Sequence, residues 1–193
     1  VAVVTALVLG GCASSGPEHD YELEALPAPA VVLAESMRVA VDPVSLPPLV
    51  DRAGMVFLDS QGEVFVSEEW RWAEPLRVEV GRVVAQDLVV RLGGARVSAY
   101  PQEPLEEPEI KVRLAIGQWQ VRPGQEFRAS VDWSVLVMQS DAAAAPRLRE
   151  GHMVIATPLA GRGIGVMLDA QDRALAQLSD ALAGAILSLR GPT

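Results

Sequence analysis

The 193-residue chain holds one cysteine, Cys12, and two histidines, His19 and His152. A single cysteine excludes an internal disulfide and any multi-cysteine metal site. Neither histidine lies in an HExxH pattern or has a second histidine at helical spacing, so no metal ligands are expected. Aromatic residues are only 5% of a chain that is 50% hydrophobic. The core must therefore be aliphatic, chiefly Val, Leu and Ala, and at this length it is ample for one domain. Positive charge is also scarce, with 16 Lys and Arg against 25 Asp and Glu and a net charge of −9. Such a chain cannot displace the counterions of a nucleic acid. Nor is it drawn by charge to an anionic membrane surface. Nucleotide and hydrolase motifs are missing as well. Gly161-Arg162-Gly163-Ile164-Gly165 lacks the last glycine of a dinucleotide loop and reads as a mobile loop. The acid pairs Glu68-Glu69 and Glu106-Glu107 read as solvated, and nothing sets two carboxylates across a cleft. His152, next to Met153, reads as a structural strand residue. Neither catalysis nor a cofactor is expected.

What is present begins at the N-terminus. Val1–Leu9 is apolar but too short to span a bilayer, which takes roughly 20 residues. It suits the apolar region of a signal peptide, although the usual basic residues ahead of it and an initiator methionine are missing, so the recorded start is expected to be truncated or to use an alternative codon. Leu9-Gly10-Gly11-Cys12 resembles a bacterial lipobox. That resemblance implies cleavage before Cys12 and acylation of its thiol and new amino group. Each buried methylene contributes about 0.8 kcal/mol, so two or three acyl chains make a lasting anchor where one does not. Ala13, rather than an aspartate, implies sorting to the outer membrane by resemblance to enterobacterial lipoproteins. Ala13–Asp20 is small, polar and broken by Gly and Pro, as a flexible tether is; His19 falls within it between Glu18 and Asp20. The expected organisation is a cleaved signal over 1–11, lipidated cysteine and linker over 12–20, and one domain over 21–190.

Within the domain, Tyr21–Leu26 and Met37–Val44 alternate apolar and polar residues as strands do. Met55–Leu58 and Val64–Val66 flank a glycine-containing turn and predict a hairpin. Pro75 stands at a helix start, and Leu76, Val80, Val83, Val84, Leu88 and Leu92 mark one helical face that Gly93-Gly94 ends. Arg96–Tyr100 predicts a short strand. Ile110–Ile116 and Phe127–Val137 alternate across a turn at Arg122–Gly124, which makes them antiparallel and leaves one polar face to solvent or a partner. His152–Thr157 predicts another strand. Leu168–Leu189 is the strongest helix, with Asp169 and Asp172 in its first turns, where the helix dipole favours them. The order predicts an α+β fold, a mostly antiparallel sheet with two long helices packed against it. Trp72 is expected to wedge between helix and sheet. Trp119, near a hairpin end, is a candidate exposed indole for a protein interface.

These segments together resemble a known family. The lipobox, the linker and the strand led by Tyr21 are followed by Val41-Asp42-Pro43-Val44-Ser45-Leu46-Pro47, Leu49-Val50-Asp51-Arg52 and Arg71-Trp72-Ala73-Glu74-Pro75-Leu76. The pattern is similar to the PqiC-type lipoproteins, auxiliary components of ABC transport systems that carry MCE-domain proteins. Leu49-Val50 departs from the family's tyrosine–leucine at that point. The resemblance covers essentially the whole mature chain. It implies a periplasmic domain tethered to the outer membrane, an MCE-domain partner, a part in lipid movement and envelope integrity, and no nucleotide. It singles out Asp51, Arg52, Arg71, Trp72, Glu74 and Pro75 as a docking or structural motif. A ring-like homo-oligomer would suit a component that caps a channel, though no residue demonstrates one. A lipid carrier with an enclosed apolar cavity, or a purely structural envelope lipoprotein, are the competing classes.

Overall fold

The computed structural model describes residues 17–27, 37–102, 107–138 and 146–190. The signal segment, the lipobox and Cys12, with Glu106 and most of the 141–146 loop, lie outside the described residues. The elements are β1 (His19–Tyr21), β2 (Arg38–Val41), β3 (Gly54–Leu58), β4 (Val64–Trp72), α1 (Leu76–Arg91), β5 (Arg96–Ala99), β6 (Ile110–Arg122), β7 (Glu126–Val137), β8 (Arg147–Pro158) and α2 (Ile164–Arg190).

β6 organises the sheet. One edge pairs antiparallel with β7 over its whole length, and β7 pairs antiparallel with β8. Its other edge is divided: β2 runs parallel to its first residues, and β3 meets it in parallel at Phe57–Val121. β5 extends the sheet beyond β2 in parallel; β4 pairs antiparallel with β3, and β1 lies parallel to β4. The long ladders are antiparallel as expected, but four of the seven pairings are parallel. The mostly antiparallel sheet is thus corrected to a mixed one. Alternation reports which face of a strand is buried, not the direction of a neighbour distant in sequence. β3, with Met55, Val56, Phe57 and Leu58 all buried, shows the double-sided burial of an interior strand.

Both helices contact each other and the sheet, α1 against β2 and β5, α2 against β7 and β8. α1 begins after Pro75, whose carbonyl accepts the Val78 and Glu79 amides, and its predicted apolar face is fully buried. Gly93 and Gly94, at φ 60° and 100°, turn the chain out of the helix in the left-handed region that glycine tolerates. α2 starts at Ile164, so Ile164 and Gly165 of the expected loop are helical. Asp169 and Asp172 are correspondingly further inside, and the first turn holds no acid, so the dipole argument does not apply to them.

Two register details correct the sequence expectations. The first strand is His19–Tyr21 rather than Tyr21–Leu26, so His19 and Asp20 belong to the sheet and not to the linker. In β6, the burial of Ile110, Val112, Leu114 and Ile116 changes phase at a bulge between Ile116 and Gln118, and Trp119 and Val121 then face inward.

Trp133 lies over Gly151, its partner on β8; a Cβ there would run into the indole ring. Gly151→Ala is therefore expected to cost about 1–3 kcal/mol through overpacking, read as a lower midpoint in chemical denaturation.

Candidate functional site

The loop before β3, the end of β4 and the start of α1 enclose a cleft of about 370 Å³. Backbone hydrogen bonds fix its walls. The Pro47 carbonyl accepts the Val50 and Asp51 amides at 3.0 and 3.2 Å. Ala53 accepts the Trp72 amide at 2.8 Å, and Tyr21 accepts the Ala73 amide at 2.9 Å. The cleft brings together Asp51, Arg52, Arg71, Trp72, Glu74 and Pro75, which are separate in sequence, and adds Asp20 and Arg77.

These residues divide into two groups. Asp51 is paired with Arg77 of α1 at 2.7 Å, and Arg71 with Glu18 at 2.6 Å. Trp72 is only 7% exposed; with Val50, Met55, Leu76 and Trp119 it surrounds a residual void of about 10 Å³. It is the wedge expected between helix and sheet. Arg52 and Glu74, in contrast, are exposed and have no ion-pair partner among the described residues. Trp119 is corrected outright. It is 4% exposed, its indole N–H donates to Gln171 Oε1 at 2.9 Å, and its ring meets Phe127 edge-on at 4.8 Å. The bulge in β6 turns it inward, so it offers no exposed indole.

The two helices carry a set of buried acids, Glu79, Asp87 and Asp172, whose burial sequence reasoning missed. The strap that follows β1 buries Leu23 completely. The Leu23 amide donates to Glu79 Oε2 at 3.2 Å, and the Glu24 amide donates to Asp172 Oδ1 at 3.0 Å. Arg82 donates to the Leu23 carbonyl at 2.9 Å and pairs with Glu79. Burial pushes the Glu79 carboxyl up, against the pull of Arg82 and the Leu23 amide. Asp172 is raised to about 6, chiefly by burial, with the Glu24 amide opposing and the Glu24, Asp169 and Asp87 carboxylates adding to the rise. Asp87, paired with Arg91 at 2.9 Å, is raised by burial too. The available signal was their phase. Glu79 follows Leu76 by three residues and precedes Val83 by four, and Asp172 precedes Leu175 by three, so both fall on apolar helix faces.

The outer face of β6–β8 is exposed and largely polar, with Leu148 and Val154 of β8 exposed on it as well. It forms an open trough of about 830 Å³ whose lining includes Asp42, Arg113, Asp132, Ser134 and Glu150. Arg113 pairs with Asp42 at 2.9 Å. His152 stands on this face, 2.7 Å from Asp132, rather than inside the fold. Glu68 and Glu69 are exposed, as expected. Among the described residues no cluster of His, Cys, Asp or Glu is arranged to hold a metal ion. No described helix is long and apolar enough to cross a membrane.

The fold and the cleft define a two-layer α/β domain with a cleft lined by charges of both signs. The chain belongs to the family of ABC-type transport auxiliary lipoprotein components, whose sequence model matches residues 21–183. This is a transport accessory family and not an enzyme family. The fold is shared with protein XCC0632 of Xanthomonas campestris, at a TM-score of 0.64 and 19% identity over 89% of this chain and 96% of that one. A second crystal structure, of an uncharacterized protein, gives 0.66 and 18% over 89% and 99%. No curated protein matches the chain.

Proposed function

We propose that the protein is an accessory lipoprotein of an MCE-type ABC lipid transport system, held at the periplasmic face of the outer membrane by acylated Cys12. Its cleft between the loop before β3 and the start of α1 receives the MCE-domain partner. The carrying observation is that Arg52 and Glu74, with Asp20 beside them, are exposed and unpaired among the described residues, in a cleft where Asp51 and Arg71 are already paired. Free charges of both signs on a rigid frame suit recognition of a polar protein segment and help to set its register. A lipid carrier needs an enclosed apolar chamber of several hundred Å³. The apolar void behind Trp72 measures about 10 Å³, and the larger clefts are open and lined by charged groups.

Crosslinked pull-down of the full lipoprotein from native envelopes, with mass spectrometry of the captured proteins, tests this directly. An MCE-domain protein is the expected catch. Arg52→Glu is expected to leave the fold intact and to lower its recovery at least tenfold, since truncating or reversing a charge at a desolvated pair costs about 2–5 kcal/mol. Undiminished capture by that variant moves the docking site elsewhere. An intact mass matching the unmodified chain from Val1 in native membranes removes the anchor.

A further inference from the structure

The β3–β4 hairpin carries an apolar strip that the core does not absorb. Val64, Phe65 and Val66 are 41%, 46% and 40% exposed in succession. Single exposed apolar residues are ordinary, whereas three in succession beside the turn of a hairpin, Phe65 on one face and Val64 and Val66 on the other, mark a contact surface. The strip has a stiff backing. Asp59 Oδ1 accepts the Gln61 and Glu63 amides at 2.8 Å each, which locks the turn. Phe65 stacks on buried Phe57 at 5.3 Å, and Phe57 meets Trp70 edge-on at 5.7 Å.

The route of the chain says what covers the strip. β1 runs parallel to β4, with His19 opposite Trp70 and Tyr21 opposite Trp72. Upstream of His19, the direction of β1 points towards the low-numbered end of β4, where the strip lies. Along β4, Val64 stands roughly 20 Å from Trp70 at the rise of a strand. Fully extended, the links from Cys12 to His19 reach at most roughly 24 Å. A bilayer that holds Cys12 must then pass within that reach of the β1–β4 edge of the domain, and the turn end of the hairpin, with Val64–Val66 beside it, is the part of that edge towards which β1 points.

We propose that Val64, Phe65 and Val66 seat in the headgroup–acyl boundary of the membrane that holds Cys12, which takes as given the acylation proposed above. The contact is shallow, on the scale of about 5–10 Å that interfacial apolar residues reach. Asp59, Glu63, Glu68 and Glu69 share the hairpin and are repelled by anionic headgroups, so the surface it fits is zwitterionic. The cleft sits at the other end of β4, at Arg71 and Trp72, which leaves it open to a partner arriving from the side away from the bilayer.

Phenylalanine provides the test. It occurs three times, at Phe57, Phe65 and Phe127. Only Phe65 is exposed. Fluorophenylalanine therefore gives one solvent-facing signal, assigned with Phe65→Leu. The chain from Cys12 is coupled through its only thiol to a maleimide lipid in phosphatidylcholine nanodiscs, so the readout does not depend on acylation by the cell. A water-soluble gadolinium chelate broadens the Phe65 signal in the uncoupled protein. On the nanodisc that broadening is expected to fall several-fold, with Phe57 and Phe127 unchanged. Equal broadening on and off the bilayer overturns the proposal and leaves the strip to a protein partner. A shielded Phe65 combined with an unacylated Cys12 in native envelopes upholds the bilayer contact and removes only the natural anchor.

Discussion

Trp72→Ala is expected to destabilise the domain by about 3–5 kcal/mol, the range for truncating a large aromatic side chain in a core. A domain holds only about 5–15 kcal/mol in all. Loss on this scale leaves the variant partly unfolded at 37 °C or close to it. The position explains the size. Trp72 is buried where β4 ends, against Leu76 at the start of α1, Val50 of the cleft loop and Trp119 of β6. Four separate segments lose their common contact when the indole goes. The backbone bond from the Trp72 amide to Ala53 survives in alanine, so the loss reports the side chain alone. Denaturant titration followed by circular dichroism measures it. A variant with the wild-type midpoint that fails to capture the partner would assign Trp72 to docking instead.

Asp172→Asn is expected to do the opposite at neutral pH and to stabilise the domain. In the folded state burial holds the Asp172 carboxyl at about 6, against an ordinary value of 3.8. The folded protein thus keeps a proton that the unfolded chain releases, and between those values stability falls as pH rises. Below about 3.8 both states are protonated and the charge-burial cost vanishes; above about 6 the cost is complete, at about 3 kcal/mol. Asparagine cannot ionise, yet its amide oxygen still accepts the Glu24 amide. At pH 7 the midpoint of thermal unfolding should rise, by roughly 6–12 °C at most for a domain of this size. At pH 4 the variant and the wild type should converge. Glu79 and Asp87 are raised in the same direction, so some slope remains in the variant. Parallel pH profiles for the two proteins would show that Asp172 is not the group responsible.

The legible parts of the fold are those whose pattern is local. The α1 face, the β3–β4 hairpin and the β6–β7 ladder follow from residues within a few positions of one another. The parallel pairings of β1, β2 and β5 depend on partners tens of residues away, and no periodicity within a segment encodes them. Trp119 was misplaced because its position near a hairpin end was read as exposure. The odd spacing between Ile116 and Trp119 was itself the sign of a bulge. The motif residues were legible as a group, and the cleft does gather them. What sequence could not supply was their division into paired Asp51 and Arg71, buried Trp72, and unpaired Arg52 and Glu74. Such a division depends on neighbours such as Glu18 and Arg77, which belong to different elements.

The short strand β1 has a mechanical consequence. With Cys12 held by a membrane and a partner in the cleft, as proposed above, any tension between them would enter the domain at β1 and act along the strand. Its bonds to β4 run across that axis, so they are sheared together and not peeled one at a time. Just downstream, Leu23 and Glu24 are tied to Glu79 of α1 and Asp172 of α2, which passes the pull into both helices. The strap works as a second hold: force that passes the β1 wall of the cleft is carried on into the helical layer rather than ending at β1 alone.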